Sequence, residues 1–372
     1  MIYYHIVHSH ADKQPPQAAH WVEARSRERD QLRRYGVYTI TPFSSIPKDT
    51  RIVDTRWVWI KRKLDGSIEK YKARKVGRGF TQEDGINYDS DKTYAQMMRP
   101  ETFKISLIIA LHNNWAIRQW DVVAVYLQAY LHHDVYISNI NEQGQTEYWK
   151  LGKALYGLEQ AGHELFKTLE HILSLGGLRQ CIGDEGTYVN RGGSLIIGTH
   201  VDDLVGIAPT EALLDQIEQE AEKAVELEKR GKPIKLLGIE LTWSEEGSQV
   251  TMTQQALIDS MVTTHLQGNI YPRTSLPLNP SLYEEGTDDK LPDAKPYQAL
   301  VGGLLYIARM TRPEISIQVN LLGRRTASPS AANLKAARDT PSYHQMSRHY
   351  TEKTPTPGTH YICGCLLRRG RG

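Results

Sequence analysis

Asp202 and Asp203 stand side by side between two short apolar, β-prone runs, Leu195-Ile196-Ile197 and Leu204-Val205, within Ser194–Ala208. That layout is a buried hairpin with acid groups held at its tip. Two adjacent carboxylates repel each other, and ordering them is rational where they share a divalent cation. Hard ions such as Mg²⁺ take carboxylate oxygens and leave positions free for phosphates. Without such an ion an Asp-Asp pair is simply a solvated turn. A third acid, Asp121, falls inside the apolar run Trp120–Leu127, where an unpaired charge is expensive to bury. The competing reading of Asp121 is a strand-end residue capping the next turn.

Other ligand-type residues carry less. His132-His133-Asp134 lack a fourth partner at useful spacing and read as a turn into a strand Val135–Ile137. Cys363 and Cys365 form a lone C-x-C without partner ligands, which argues against zinc. From Arg51 to Arg78 ten Lys/Arg face three acids, interleaved with Trp57, Trp59 and Tyr71. That pattern suits a phosphate-backbone or nucleotide-binding surface, or else an ordinary solvated hairpin.

The elements that must position these groups follow from periodicity. His20–Tyr35 reads as an amphipathic helix carrying Trp21, Val22, Ala24 and Leu32 and ended by Gly36. Arg56–Ile60 and Ile68–Ala73 form strands around a loop with Asp65-Gly66. Pro100–Asn114 is a helix whose buried face is expected at Ile105, Leu107, Ile108 and Leu111. Leu151–Leu175 begins with a Gly-bearing turn and becomes a helix. Thr210–Arg230, with seven acids against three bases, reads as a charged helix with a solvated face. Lys235–Trp243 and Gln249–Met252 give a hairpin, Ser275–Pro296 a linker, and Tyr297–Met310 an apolar helix. Beyond about Arg338 no periodicity is left.

Composition sets the class. The 372 residues leave room for two or three domains, and 40% hydrophobic with 24% charged residues is ordinary for a globular protein. The longest apolar runs are too short for a transmembrane helix, so no membrane partner is expected. The N-terminus lacks the pattern of a secretory signal, and three cysteines give no disulfide framework. An intracellular protein is expected, cytoplasmic or nuclear.

With these residues in view, the chain resembles the reverse transcriptase of copia-type retrotransposons from about Trp21 to about Ala336. Six markers occur in the family's order: Arg56–Tyr88, QWDVVAVYL (Gln119–Leu127), KALYGLEQ (Lys153–Gln160), HVDDL (His200–Leu204), LLGIEL (Leu236–Leu241) and Pro296–Ile315. The resemblance implies an α+β, right-hand polymerase fold. Its parts would be a disordered leader (1–20), fingers (21–118), a palm with the catalytic hairpin (119–252), a partial thumb or connection region (253–337) and an irregular tail (338–372). It implies RNA-directed DNA synthesis from an RNA template, a DNA primer and dNTPs, by phosphoryl transfer with two Mg²⁺ ions, or Mn²⁺.

By the same resemblance Asp121 and Asp202 are the main metal ligands, with Asp203 and the carbonyl of Val122 in support. Tyr126 lies under the sugar and excludes a 2′-OH. Lys72, Arg74 and Arg78 cover the triphosphate, and Gly157 lets the backbone approach the template or incoming base. LLGIEL would hold the primer strand. Departures from the family pattern occur at Gln96, Met97, Val123, Glu159, Gly162, His163, Leu165 and His200. No protease or integrase motif precedes Trp21, and the ribonuclease H pattern is not found after Ala337. The chain therefore reads as a degenerate, frameshifted copy or a fragment of a larger polyprotein. The alternatives are a catalytically dead remnant that only binds nucleic acid and, further off, a metal-dependent phosphatase or nuclease. Oligomeric state is left open.

Overall fold

A computed structural model of the chain describes residues 5–7, 18–61, 71–268, 290–347 and 366–368. In chain order its first elements are β1 (His5–Val7), α1 (Ala18–Arg34), β2 (Tyr38–Ile40), β3 (Ile52–Val53), β4 (Thr55–Lys61), β5 (Tyr71–Gly77), α2 (Pro100–Asn113), β6 (Ala116–Val122), β7 (Tyr130–Ile140) and β8 (Thr146–Lys153). There follow α3 (Ala161–Leu175), β9 (Arg179–Cys181), β10 (Asp184–Val189), β11 (Ile196–His200), β12 (Asp203–Ala208), α4 (Glu211–Glu222) and β13 (Leu227–Gly231). The rest are β14 (Lys235–Leu236), β15 (Ile239–Trp243), β16 (Gln249–Thr253), α5 (Gln255–Leu266), α6 (Lys295–Met310), α7 (Ser316–Gly323), α8 (Ala331–Ser347) and β17 (Leu366–Arg368). No helix among the described residues is long and apolar enough to cross a membrane. The Asp65-Gly66 loop, most of the Ser275–Pro296 linker, most of the leader and tail, and Cys363 and Cys365 lie outside the described residues.

The fold is α+β and divides into two units, Met1–Phe103 with Ala116–Lys232, and Lys104–Trp115 with Pro233–Gly372. The first unit is built on a six-stranded antiparallel sheet of order β13-β6-β12-β11-β10-β9. Successive residues along each strand point to opposite faces of the sheet. One face sends Trp120, Val122, Leu204 and Ile197 into a core shared with Leu165, Phe166 and Leu169 of α3 and Leu214 and Ile217 of α4. The opposite face carries Gln119, Asp121 and Asp203. In the second unit, Leu300, Leu304, Ile307, Val319, Leu322 and Ala337 of α6, α7 and α8 share a core, and β14-β15-β16-β17 form a separate sheet.

Several elements differ from the sequence expectation. The helix α2 ends at Asn113, with Asn114 turning out at φ 55°. It buries Phe103, Ser106, Leu107, Ala110 and Leu111 while Ile105 is 56% exposed. The spacing 103-106/107-110/111 makes the better helical stripe, and Ile105 lies off it. In α1, Trp21, Ala24 and Leu32 are buried but Val22 faces solvent. The strand through Asp121 stops at Val122, because Ala124 adopts φ 47° and Val125–Gln128 form a 3₁₀ turn. Gln128 holds that turn, its Nε2 donating to the Val123 carbonyl at 2.6 Å and its Oε1 accepting the Glu226 N–H at 2.8 Å. His132-His133-Asp134 are part of strand β7, not a turn. Each lies against a polar partner, His132 against Glu164, His133 against Asp89 and Asp134 in an ion pair with Lys150. The regular ladder of β7 with β8 breaks between Tyr130 and Val135, which masks the strand pattern. The helix α8 runs on to Ser347 past the expected limit near Ala337, because Ala336, Ala337 and Thr340 continue its buried stripe.

The most consequential correction concerns Thr210–Arg230. Only Glu211–Glu222 is helix, and Leu227–Gly231 returns as a strand paired with β6. Its acids are not simply solvated. Glu218 is buried and accepts hydrogen bonds from Trp120 Nε1 at 2.6 Å and Arg118 Nη1 at 3.1 Å, and also pairs with Lys229. Arg118 reaches Asp215 and Glu211 as well. This hub ties α4 and β13 to the strand that carries Asp121. Glu218→Ala would strand a buried indole N–H and leave the neighbouring cations short of an acceptor. It is expected to cost about 3 kcal/mol, read as a lower urea midpoint at unchanged m-value.

Candidate active site

The tip of the β11–β12 hairpin is set by register. His200 pairs with Asp203, and Asp203 pairs in turn with Asp121 of β6. Asp121 is also opposite Glu228 of β13. Cross-strand partners project from the same face, so His200, Asp203, Asp121 and Glu228 form a row across four strands. Val201 and Asp202 make the turn, with Val201 in the left-handed region at φ 57°. The Val122 N–H donates to the Asp202 carbonyl at 2.7 Å, which fastens the turn to the end of β6. Asp121 and Asp203 therefore stand opposite each other on one sheet with Asp202 in the adjoining turn, and Asp121 is a strand residue and not a cap.

Charge is concentrated here. Burial pushes the Asp121 carboxyl up from the ordinary carboxylate range, and the Asp202 charge adds to it. Burial likewise drives Asp203 up to about 6, reinforced by Asp202 and Asp121 and opposed by the hydrogen bond from Gln119 Nε2 at 2.7 Å. Arg230 gives partial relief, its Nη2 lying 3.4 Å from Asp121 Oδ2 and 2.8 Å from Glu228. Burial lowers the His200 imidazole, whose Nδ1 is buried without a hydrogen-bond partner.

An all-oxygen donor set under mutual repulsion fits a hard divalent cation, which would relieve that repulsion. The carboxylates are not closed into a cage, however. Among the described residues no three His, Cys, Asp or Glu side chains are gathered closely enough to hold a metal ion.

The raised Asp203 carboxyl has a consequence for stability. Its proton is held to about pH 6 in the folded chain, against an ordinary value of 3.8. Ionisation therefore costs nothing below the lower value, costs more as pH rises through the interval, and costs the full amount above it. Metal-free Asp203→Asn should gain stability over the parent chain between pH 4 and 6 and keep a constant advantage above that. Paired urea titrations across pH 4–7.5 check this, and an advantage that does not change with pH contradicts it.

The residues expected around a nucleotide are brought together only in part. Tyr126, in the 3₁₀ turn, meets Tyr156 edge-on at 5.3 Å between ring centroids. Burial, then the Asp202 charge, pushes the Tyr126 hydroxyl up. The Arg74 guanidinium lies over the Tyr156 ring at 4.7 Å and is ion-paired to buried Glu28 at 2.8 Å. Lys72 and Arg74 share a face of β5 by alternation. Arg78 lies beyond the strand and pairs with Asp54 at 3.2 Å. Gly157 occupies a left-handed turn at φ 84°, with its carbonyl accepting the Gly79 N–H at 3.0 Å, while the Tyr156 carbonyl accepts the Gly77 N–H at 2.8 Å.

Residues 35–278 match the family model for reverse transcriptase (RNA-dependent DNA polymerase). The chain belongs to the reverse transcriptase family. It is 31% identical over 299 residues to the retrovirus-related Pol polyprotein from transposon RE1 of Arabidopsis thaliana, covering 78% of this chain and 20% of that protein. It is 31% identical over 225 residues to the putative transposon Ty5-1 protein of Saccharomyces cerevisiae, covering 59% of this chain and 72% of that one. The chain thus spans about a fifth of the plant polyprotein. A foamy viral protease–reverse transcriptase in complex with double-stranded DNA aligns with 86% of this chain and 48% of that chain, at 13% identity and a TM-score of 0.45.

As a reverse transcriptase domain of the retrotransposon type, the chain shows which site neighbours the motifs alone do not reveal. Gln119 is missed although a signal exists for it: it stands two residues before Asp121, which puts both on one strand face. Arg230 is not legible, because it lies in a segment that reads as helix. Tyr156 was hidden inside a marker valued for its glycine, and Glu28 precedes every marker.

Proposed function

We propose that this domain catalyses RNA-directed DNA synthesis, joining a deoxynucleotide to a primer 3′ end on an RNA template. The observation that carries this reading is the pairing of Asp121 with Asp203 on adjacent strands, with Asp202 in the turn between β11 and β12. Asp121, Asp202, Asp203 and the Val122 carbonyl would hold Mg²⁺ or Mn²⁺. Such ions, when bound, acidify the primer hydroxyl and neutralise the charge of the triphosphate. The reaction is an in-line displacement in which the primer 3′-oxygen attacks the α-phosphate and pyrophosphate leaves. The protein's task is then to fix carboxylates on rigid elements and cradle the nucleotide. In this reading the Tyr126 ring lies under the sugar, where a 2′-OH would collide, and Lys72, Arg74 and Arg78 supply positive charge to the triphosphate. The left-handed turn at Gly157 brings backbone near the template or incoming base. Basic groups around β4 and β5 would grip the duplex through its phosphates.

Primer extension by the purified full chain on an RNA template, with Mg²⁺ or Mn²⁺ and with chelator, is the direct test. Metal-dependent dNTP incorporation is expected, and no extension under either ion contradicts the proposal. One other reading is favoured by the lack, among the described residues, of a group of three His, Cys, Asp or Glu side chains that could hold a metal ion: a fold that binds duplex without catalysis. Its signature is salt-dependent duplex binding with no incorporation.

A further inference from the structure

We infer that Glu28 is a positioning residue for the nucleotide site: it fixes the Arg74 guanidinium against Tyr156 and, through Tyr156, sets the angle of the Tyr126 ring. Glu28 lies before the family-matched span of residues 35–278. On α1 it takes a place in the buried stripe Trp21, Ala24, Glu28, Leu32 and is 2% exposed. An apolar residue would suit that stripe, since Trp21 and Ala24 pack there with Trp59 and Ala73. A carboxylate is costly there unless paired, and a buried ion pair roughly breaks even in stability against apolar packing. What the pair supplies is geometry.

Its two oxygens are used differently. Glu28 Oε2 accepts Arg74 Nη1 at 2.8 Å, and Oε1 accepts the backbone N–H of Lys75 at 3.2 Å. The guanidinium is thereby referenced to the backbone of its own strand. That planar group lies 4.7 Å from the Tyr156 ring centroid, and Tyr156 is tied to the same strand by its carbonyl and the Gly77 N–H. Tyr156 then meets Tyr126 at 5.3 Å and 89°, an edge-on contact with a defined preferred angle. Tyr126 in turn lines a cleft with Gln96, Met97, Phe166 and Val201, the last beside Asp202. A chain of four side chains thus runs from α1 to the neighbourhood of the acid row.

The consequence for sugar selection rests on the proposed function; the ring geometry does not. The test uses the full chain with ring-labelled tyrosine, assigned by single Tyr→Phe replacements, together with single-nucleotide incorporation of dNTP and rNTP. In Glu28→Gln the Tyr126 and Tyr156 ring resonances should move while Tyr297 stays fixed. The dNTP-over-rNTP preference should fall roughly tenfold through KM, with kcat for dNTP held within about twofold. Unmoved ring resonances overturn the inference, as does an equal loss for both nucleotides through kcat. If Glu28→Gln does not fold, Arg74→Lys keeps the charge pair but removes the planar group. It should move the same two resonances, and their staying in place is equally decisive against. If the parent chain incorporates neither nucleotide, the proposed function fails, while the ring resonances still decide the positioning role.

Discussion

Asp121→Asn is expected to abolish nucleotide incorporation, by at least about 10³-fold, without unfolding the domain. The amide keeps the shape of the side chain and removes one charge from a row in which burial and Asp202 already disfavour it. Thermal stability of the metal-free variant should therefore equal or exceed that of the parent chain while activity disappears. That combination separates a ligand from a structural residue. A variant that loses activity and stability together would mark Asp121 as a packing residue, and one that retains activity would remove it from the site.

The second large effect is expected at Gly157. A Cβ there would lie 2.4 Å from Val76 Cγ1 and 2.5 Å from the Gly77 carbonyl oxygen, on a backbone held at φ 84°. The side chain of Val76 could shift, but the strand backbone could not without losing the hydrogen bonds that join β5 to the Tyr156–Gly157 turn. Gly157→Ala should cost at least about 3 kcal/mol from the left-handed strain and the overpacking together. That is a large fraction of a domain's stability, so incorporation should fall with folded protein. Gly36→Ala is the matched control, since its φ is 59° but nothing lies within 4 Å of the added carbon. It should cost only about 1 kcal/mol, the conformational part alone. Equal losses at the two positions, measured by urea unfolding, would show that close approach at Gly157 is not what demands glycine.

The site was more legible than the frame around it, for physical reasons. Asp202 and Asp203 sit between two short, continuous apolar runs that are plain in the sequence, so the hairpin and its tip could be placed from residues alone. The convergence of Asp121 on them came from the ordered markers, because pairing between distant strands leaves no local trace. Boundaries failed where a tertiary contact overrides local preference. The Gln128 side chain bends the chain out of β6 after Val122, although Val123–Leu127 continues an apolar run. Leu227–Gly231 carries helix-friendly charges and still forms a strand, because β6 offers it an unpaired edge. In α2 the apolar residues outnumber the buried positions, so apolar character alone does not tell the exposed Ile105 from its buried neighbours.

Glu28 illustrates a different limit. A glutamate among the charges of α1 looks like any solvated residue until the partner strand is in place, and its pairing with Arg74 is a fact of packing. Arg230 is similar: its sequence neighbours suggest a charged surface, whereas its position opposite Asp121 depends on β13 pairing with β6.

Asp121, Asp202 and Asp203 are proposed to hold cations in common. Titration of the full chain with Mn²⁺, followed by electron paramagnetic resonance, tests this most directly when the parent, Asp121→Asn and Asp202→Asn are compared. Each single replacement is expected to remove or severely weaken the same bound ion, although 81 positions separate the two residues in sequence. Mn²⁺ binding to Asp121→Asn with the parent's stoichiometry and affinity would contradict it.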